Sequence, residues 1–306
     1  MAMYIEKSVK ETFNHKQFSY RFSWIHLTRP MTFTGTISPI LAGTALAANK
    51  ESIHLGNFIG LLIASLLVQS SANMLNDYYD FKNGQDLNKW IIRDEKDTRP
   101  SFERIPLVII LALLFACIIG LWLASRSSYW IIFVGILGIT FGFLYSGGPR
   151  PLSSIGLGEL TAAVFLGFVP SFLGYIVQTG MIDMKIFVAA IPYASLISSM
   201  ILTNNIRDLN KDQMFRHTLA MMLGRIHASR LVTAFIFGPY LWVFGLILLQ
   251  IVSWSTIMIL IALPFALKLK WSLRPAASQE DKINAMKLAA FHHWTFGILF
   301  AIGIWL

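Results

Sequence analysis

Two stretches of the 306-residue chain gather oxygen-bearing side chains at helical spacing. The first reads Asn73-Met-Leu-Asn76-Asp77-Tyr-Tyr-Asp80-Phe-Lys82-Asn-Gly84-Gln-Asp86, and the second Asn204-Asn205-Ile-Arg207-Asp208-Leu-Asn-Lys211-Asp212. At about 100° per residue, Asn73, Asn76, Asp77 and Asp80 fall within an arc of roughly 100° on one helix face, and Asn204, Asn205, Asp208 and Asp212 within another. Gly84 can turn the chain and let Asp86 fold back toward the first group. One such cluster alone is more often a water-facing helix end than a site. Two are harder to dismiss, because like charges three and four residues apart destabilise a helix and carboxylates at its C-terminal end oppose the dipole. A hard divalent cation removes that penalty: Mg²⁺ takes oxygen ligands and is typically held by one or two carboxylates plus substrate phosphates. Two clusters facing one another would hold two such ions across a diphosphate. Lys82, Arg207, Lys211, Arg216 and Arg225 stand nearby in sequence to bind the remaining phosphate oxygens.

The elements that must position these clusters are membrane spans. The composition is 55% hydrophobic and 13% charged, about half the usual charge content of a globular chain. The apolar residues form blocks of roughly 20, long enough to cross a hydrocarbon core as helices. This excludes a soluble enzyme, a disordered tail and a disulfide scaffold; the single cysteine, Cys117, has no partner in the chain. Nine candidate spans are predicted, approximately 31–48, 55–76, 105–124, 129–146, 156–179, 186–206, 230–250, 254–271 and 287–306. The expected fold is therefore all-α, a bundle of nine transmembrane helices with a central cavity open to the cytoplasmic side. Residues 1–28 carry charges throughout and lack the apolar run of a cleaved signal, so they read as a cytoplasmic amino-terminal segment ahead of one transmembrane domain, 29–306. Of the 25 Lys and Arg, only Lys50, Arg126 and Lys185 fall on the face opposite the two clusters. By the positive-inside tendency the amino terminus and both clusters are cytoplasmic and the carboxyl terminus is outside, as in a bacterial plasma membrane. The basic excess suits anionic lipid head groups or a phosphorylated substrate, and no nucleic-acid motif is present. A cation or proton transporter is the alternative from another class, since carboxylates in a membrane also mark ion paths. Its weakness is location: the acidic residues sit at one membrane face, with only Glu159 placed slightly deeper. His292 and His293 are adjacent, point to different helix faces, and read as structural.

At these residues the sequence resembles the UbiA superfamily of intramembrane prenyltransferases, whose marks are two Asp-rich motifs at cytoplasmic helix ends. The first cluster is most similar to the branch that prenylates 1,4-dihydroxy-2-naphthoate, where the third aspartate follows a Gly, as Asp86 follows Gly84 here. Three further stretches carry the resemblance in collinear order: Arg29-Pro30 with Ser38 to Leu46; Tyr145-Ser-Gly147-Gly148-Pro149-Arg150-Pro151 with Gly158-Glu159; and Asn204 to Asp208 with Thr218-Leu219-Ala220 and Leu223-Gly224-Arg225. Two stretches depart from the branch: Leu87 to Asp97 lacks a Gly-rich run, and Gln213 to Thr218 is a residue shorter and lacks a Gly before Arg216.

The resemblance implies Mg²⁺-dependent transfer of a polyprenyl chain from its diphosphate to an aromatic acid, and in the naphthoate branch loss of CO₂ to give demethylmenaquinone. Other acceptors within the superfamily, such as 4-hydroxybenzoate or a haem or lipid precursor, and a catalytically silent binding protein, remain as alternatives. Asp77 and Asp80 are assigned to one Mg²⁺ and Asp208 and Asp212 to the other, with Asp86 as a further ligand. Asn73, Asn76, Asn204 and Asn205 would bind water, metal or phosphate. Arg29 and Arg150 are candidates for an acceptor carboxylate because a guanidinium pairs with it bidentately, and Tyr145 for orienting the acceptor or facing the allylic cation. For each of these three, a plain interfacial anchor is the competing reading.

Overall fold

The computed structural model describes residues 18–306 apart from Arg93, Met214 and the side chain of Ile92; residues 1–17 of the expected amino-terminal segment lie outside the described residues. Among the described residues nine long helices follow one another: α1 Thr34–Ala48, α2 Leu55–Lys82, α3 Ile105–Arg126, α4 Trp130–Ser146, α5 Gly158–Thr179, α6 Met184–Arg207, α7 Leu219–Leu248, α8 Trp254–Ser272 and α9 Gln279–Trp305. Seven of them, all but α1 and α4, are long and apolar enough to cross a membrane. An eighth crossing results if Trp24–Thr32 and Thr34–Ala48, which meet at 51°, form one broken span. Helix α4 has 17 residues, about 26 Å at 1.5 Å per residue, and falls short of the same measure. Large apolar side chains such as Leu111, Phe115 and Ile118 on α3 and Phe133 and Ile136 on α4 are exposed, a surface that lipid covers and water would not tolerate.

The fold is mainly helical, with one addition to the expected all-α architecture. Phe18–Tyr20 pairs antiparallel with Trp90–Ile92, in the register Phe18 with Ile92 and Tyr20 with Trp90. Tyr20 and Trp90 pack edge to face at 5.1 Å and join Leu27, Met74, Phe81, Phe102 and Ile105 in a buried cluster. That cluster pins the long loop after α2 down over the end of the helix. No periodicity announces strands only three residues long; the pairing depends on this tertiary contact.

Helix α6 is the most buried of the spans and runs through the middle of the bundle, packed against α7, α9 and α5. Small residues let the backbones approach. A Cβ added at Gly43 of α1 would stand 2.0 Å from the Ser171 carbonyl oxygen of α5, and one at Gly174 would stand 2.5 Å from the Ile40 carbonyl oxygen. Between lipid-solvated helices, where burial from water contributes little, this close packing is a principal source of association. In α5 the α-helix widens into a π turn over Ala163–Phe168 just before Pro170, whose missing N–H and ring relax the preceding hydrogen-bond ladder.

Gly43→Ala is expected to lower the Tm of the detergent-solubilised protein by several degrees, because overpacking against a backbone carbonyl costs about 1–3 kcal/mol. Gly245→Ala, where an added Cβ meets nothing, should leave Tm unchanged or slightly raised.

Candidate active site

Helix α2 continues to Lys82, six residues beyond the expected end of the span, and so carries Asn73, Asn76, Asp77 and Asp80 on one unbroken helix as the spacing required. Gly84 adopts φ +82° and Asp86 φ +52°, with the Gln85 N–H returning to the Asp80 carbonyl at 2.7 Å. The turn brings Asp86 back over the helix end. The second cluster differs from its expected form. Helix α6 stops at Arg207, Asp208 caps it at φ −98°, ψ 9°, and Leu209–Asp212 forms a separate turn. The face predicted as one arc is thus split across a break, with Asn204 and Asn205 on α6 and Asp212 on the turn that follows.

The two clusters face each other, and cations bridge them. Lys211 of the second donates to Asp86 of the first, and Arg216 donates to Asp80 Oδ1 at 2.5 Å and to Gln85 Oε1 at 3.0 Å. Arg29 donates to Asp77 Oδ1 and to Asn76 Oδ1, both at 2.7 Å. Lys89 lies between Asp77, 3.1 Å away, and Asp86, 2.6 Å away. Arg207 grips Asp208 through Nε at 2.9 Å and a terminal nitrogen at 2.6 Å, and also donates to Asn204 Oδ1 at 2.7 Å. Asp212 is buried and makes no ion pair among the described residues. Burial works against the charged form of Asp86, but the ammonium groups of Lys89 and Lys211 outweigh it and hold the carboxyl at about 2. Burial dominates at Asp212 and pushes its carboxyl up, with Arg216 opposing and Asp208 reinforcing the shift.

Below this layer lies a cavity of about 530 Å³, within the usual range for small-molecule sites. Arg29, Asn73, Asn76, Tyr145, Asn204, Asn205 and Arg216 line one end of it. The remainder is walled by apolar groups such as Leu61, Leu123, Ile131, Phe141, Phe165 and Leu166. From Asn76 to Leu61 along α2 the lining runs about 22 Å by helical rise. The aspartates themselves do not line the cavity: Arg29 and Arg216 touch it on one side and the carboxylates on the other. An anionic group entering the polar end would meet guanidinium groups first, with carboxylates directly behind them.

The donor set suits a hard cation. It consists of carboxylate and amide oxygens, and Asp77 Oδ2 is buried with no hydrogen-bond partner among the described residues. No three His, Cys, Asp or Glu side chains converge among the described residues, so Asp77, Asp80, Asp86, Asp208 and Asp212 do not form a closed cage. A site completed by substrate phosphate fits this arrangement, since Mg²⁺ usually takes only part of its shell from protein.

Several expected residues lie apart from the cavity. Lys82 is exposed with its Nζ 5.9 Å from the Tyr79 ring centre, Arg150 is exposed in the turn after α4, and Arg225 donates to the Ala277 carbonyl at 3.1 Å beyond a break at Gly224, φ +69°. Arg29, expected to await an acceptor carboxylate, is instead bound to Asp77 and Asn76, and it holds a left-handed backbone, φ 52°, to reach them. Lys89, Gln85 and Glu159 are the polar groups that spacing alone passed over. The i,i+3 spacing of Asp86 and Lys89 was the available signal for the first. Glu159 is buried on α5, where Asn205 donates to its Oε1 at 2.8 Å.

Residues 36–296 match the model of the UbiA prenyltransferase family. A 1,4-dihydroxy-2-naphthoate octaprenyltransferase of Bacillus subtilis is 31% identical over 303 residues, 97% of this chain and 96% of that protein. The Mycobacterium leprae enzyme of the same name is 31% identical over 83% of this chain and 85% of its own length. Among solved structures, a UbiA homolog from Archaeoglobus fulgidus bound to DMAPP and Mg²⁺ has the same fold, with a TM-score of 0.60 and 13% identity over 91% of this chain and 99% of that one.

Arg216→Ala is expected to weaken binding of inorganic diphosphate with Mg²⁺ by about tenfold or more, since a charge-assisted hydrogen bond contributes roughly 1.5–3 kcal/mol. Arg225→Ala should leave it unchanged. Calorimetric titration of the solubilised protein measures both, and equal losses would remove Arg216 from the site.

Proposed function

The chain belongs to the UbiA prenyltransferase family, and on that premise we propose that it transfers a polyprenyl group from polyprenyl diphosphate to 1,4-dihydroxy-2-naphthoate with loss of CO₂, giving demethylmenaquinone. The observation that carries this reading is the meeting of the two aspartate clusters over the polar end of a long apolar cavity. The 31% identity to two 1,4-dihydroxy-2-naphthoate octaprenyltransferases supports the acceptor. A transporter is disfavoured because no carboxylate is among the residues that line the cavity, whose polar groups away from Arg29 and Arg216 are neutral side chains such as Thr36, Ser65 and Gln69.

In this reading Asp77 and Asp80 would hold one Mg²⁺ and Asp208 and Asp212 a second, with Asp86 as a further ligand and substrate phosphate supplying other oxygens. The metal, when bound, supplies positive charge to the diphosphate as a leaving group. Arg29 and Arg216 face the same end and bind phosphate oxygens, taking up charge as the allylic carbon–oxygen bond breaks. The apolar walls exclude water, so the allylic cation meets the electron-rich ring first. Tyr145, lining the polar end, faces that cation or orients the acceptor. The isoprenoid tail runs along the cavity beside Phe141, Phe165 and Leu166. The ring forms its new carbon–carbon bond at the position bearing the carboxylate, and CO₂ leaves with the electrons of the broken bond remaining on the ring. In this reading the chain crosses nine times, with α1 completed by its bent approach and α4 as a short span, and the excess of Lys and Arg on the side of the two clusters supports an amino terminus and site in the cytoplasm of a bacterial cell and a carboxyl terminus outside.

Membranes containing the protein, given radiolabelled polyprenyl diphosphate and Mg²⁺, should form prenylated product with 1,4-dihydroxy-2-naphthoate and not with 4-hydroxybenzoate. Asp77→Ala and Asp208→Ala should each reduce turnover by about a hundredfold or more while the protein still folds. Retained turnover in either variant would sink the metal assignment, and product with 4-hydroxybenzoate alone would sink the acceptor. The raised Asp212 carboxyl adds a pH signature. Its charged form is lost at higher pH than an ordinary carboxylate, so apparent Mg²⁺ affinity should fall on acidification, and saturating Mg²⁺ should move the acid limb of the rate profile to lower pH.

A further inference from the structure

Among the described residues, Glu159 is the buried carboxylate that the diphosphate chemistry does not use. It is 4% exposed, sits in the first turn of α5, and is held from α6 on two sides: Asn205 Nδ2 donates to its Oε1 at 2.8 Å and the Ser198 hydroxyl donates to its backbone carbonyl at 3.2 Å. Its Oε2 is buried with no partner among the described residues. A buried carboxyl oxygen left unpaired costs a few kcal/mol, so its retention asks for a compensating role.

The role follows from what Glu159 does to Asn205. A carboxylate can accept but an amide nitrogen can only donate, so the nitrogen of Asn205 must face Glu159 and its carbonyl oxygen is the atom left over. Asn205 lines the polar end of the cavity, beside Tyr145 and Ser153. Tyr145 stands close to the same stretch, its hydroxyl 3.6 Å from the place a Cβ on Gly158 would take. The neighbouring amide is fixed the opposite way. Arg207 can only donate, so Asn204 must turn its oxygen to Arg207, at 2.7 Å, and keep its nitrogen free. The two adjacent amides therefore offer different chemistry to a ligand, one a donor and the other an acceptor. An acceptor atom suits a hydroxyl group or a metal ion and not a diphosphate oxygen or a carboxylate, which would repel it; separate KM values for the acceptor and for the diphosphate with its metal tell the first two apart.

Resting on the substrate reading above, we propose that Glu159 is the positioning residue of a subsite for an aromatic hydroxyl: it orients Asn205 so that the Asn205 carbonyl oxygen receives a ring hydroxyl of the prenyl acceptor beside Tyr145. The diphosphate binds at Arg29 and Arg216 without using this pair.

The test separates the two substrates. In membranes, Glu159→Ala and Asn205→Ala are each expected to raise the KM for 1,4-dihydroxy-2-naphthoate about tenfold, the value of one hydrogen bond to a buried partner, and to leave the KM for polyprenyl diphosphate within about twofold. Glu159→Gln can present either its oxygen or its nitrogen to Asn205, so its acceptor KM should fall between those of the wild type and Glu159→Ala. The double variant should be no worse than Asn205→Ala alone, because both remove the same contact. An unchanged acceptor KM in Asn205→Ala overturns the proposal, and that variant decides the matter if Glu159→Ala does not fold. Equal rises in both KM values, or a Glu159→Gln variant as impaired as Glu159→Ala, also overturn it. Wild-type turnover with the naphthoate tests the substrate reading separately. If another hydroxylated aromatic is used instead, the same ratios are measured with it. Calorimetric binding of the acceptor to solubilised protein gives the ratios without turnover.

Discussion

Carboxylates gathered at one end of a helical bundle repel one another and lose hydration as they are buried, and this penalty organises the polar end of the molecule. Asp77 is almost wholly buried, yet it meets Arg29 and Lys89; Asp80 meets Arg216, and Asp86 meets Lys89 and Lys211. Removing the cation from the buried Arg216–Asp80 pair would leave an uncompensated charge at a cost of about 3–5 kcal/mol; the pairs of Arg29, Lys89 and Lys211 are better solvated and contribute less, but each contact constrains the segment that supplies it. Arg29 holds the chain ahead of α1, Lys89 holds the loop after α2, and Lys211 with Arg216 holds the connection between α6 and α7. Three separated parts of the chain are thereby fixed to the end of a single helix.

The same contacts give the site its layering. Arg29 and Arg216 lie between the carboxylates and the cavity, so the negative charge is screened from the apolar space while the guanidinium groups remain available to an anion. The apolar walls below depend on different forces. They are set by close backbone approaches at Gly43 and Gly174 and by the widened turn of α5 before Pro170, which together leave room along α2, α4 and α5. Charge thus builds the reactive end and steric fit builds the chamber. The buried Glu159 and Asn205 pair joins them, because it ties α5 to α6 where the two regions meet.

Local spacing made part of this legible. The residues of α2 from Asn73 to Asp80 share a face because 3.6 residues make a turn, and Gly84 turns the chain because it can adopt φ +82°. The second cluster was less legible for a local reason: the end of α6 at Arg207 depends on Asp208 capping it, and nothing in the helical spacing of Asn204 to Asp212 marks the break. Arg225 resembles a phosphate ligand in sequence, but the kink at Gly224 directs it to the Ala277 carbonyl instead. Lys89 was hidden in a loop whose conformation comes from the pairing of Phe18–Tyr20 with Trp90–Ile92, strands far apart in the chain.

The sequence by itself determined the membrane setting, the helical class and the chemical type of the two clusters, because apolar block length, charge distribution and side-chain spacing are properties of short stretches. Tertiary structure alone decided that Arg216 neutralises Asp80 and Lys211 meets Asp86, that Arg29 serves Asp77 and Asn76, and that Asn205 turns its nitrogen to Glu159. Those outcomes depend on which faces of distant helices meet. Partners 46 to 136 residues apart become neighbours only through the packing of the whole bundle. Hydrogen bonds and ion pairs act over a few ångströms, so until the helices are in place no spacing rule can choose among the available partners.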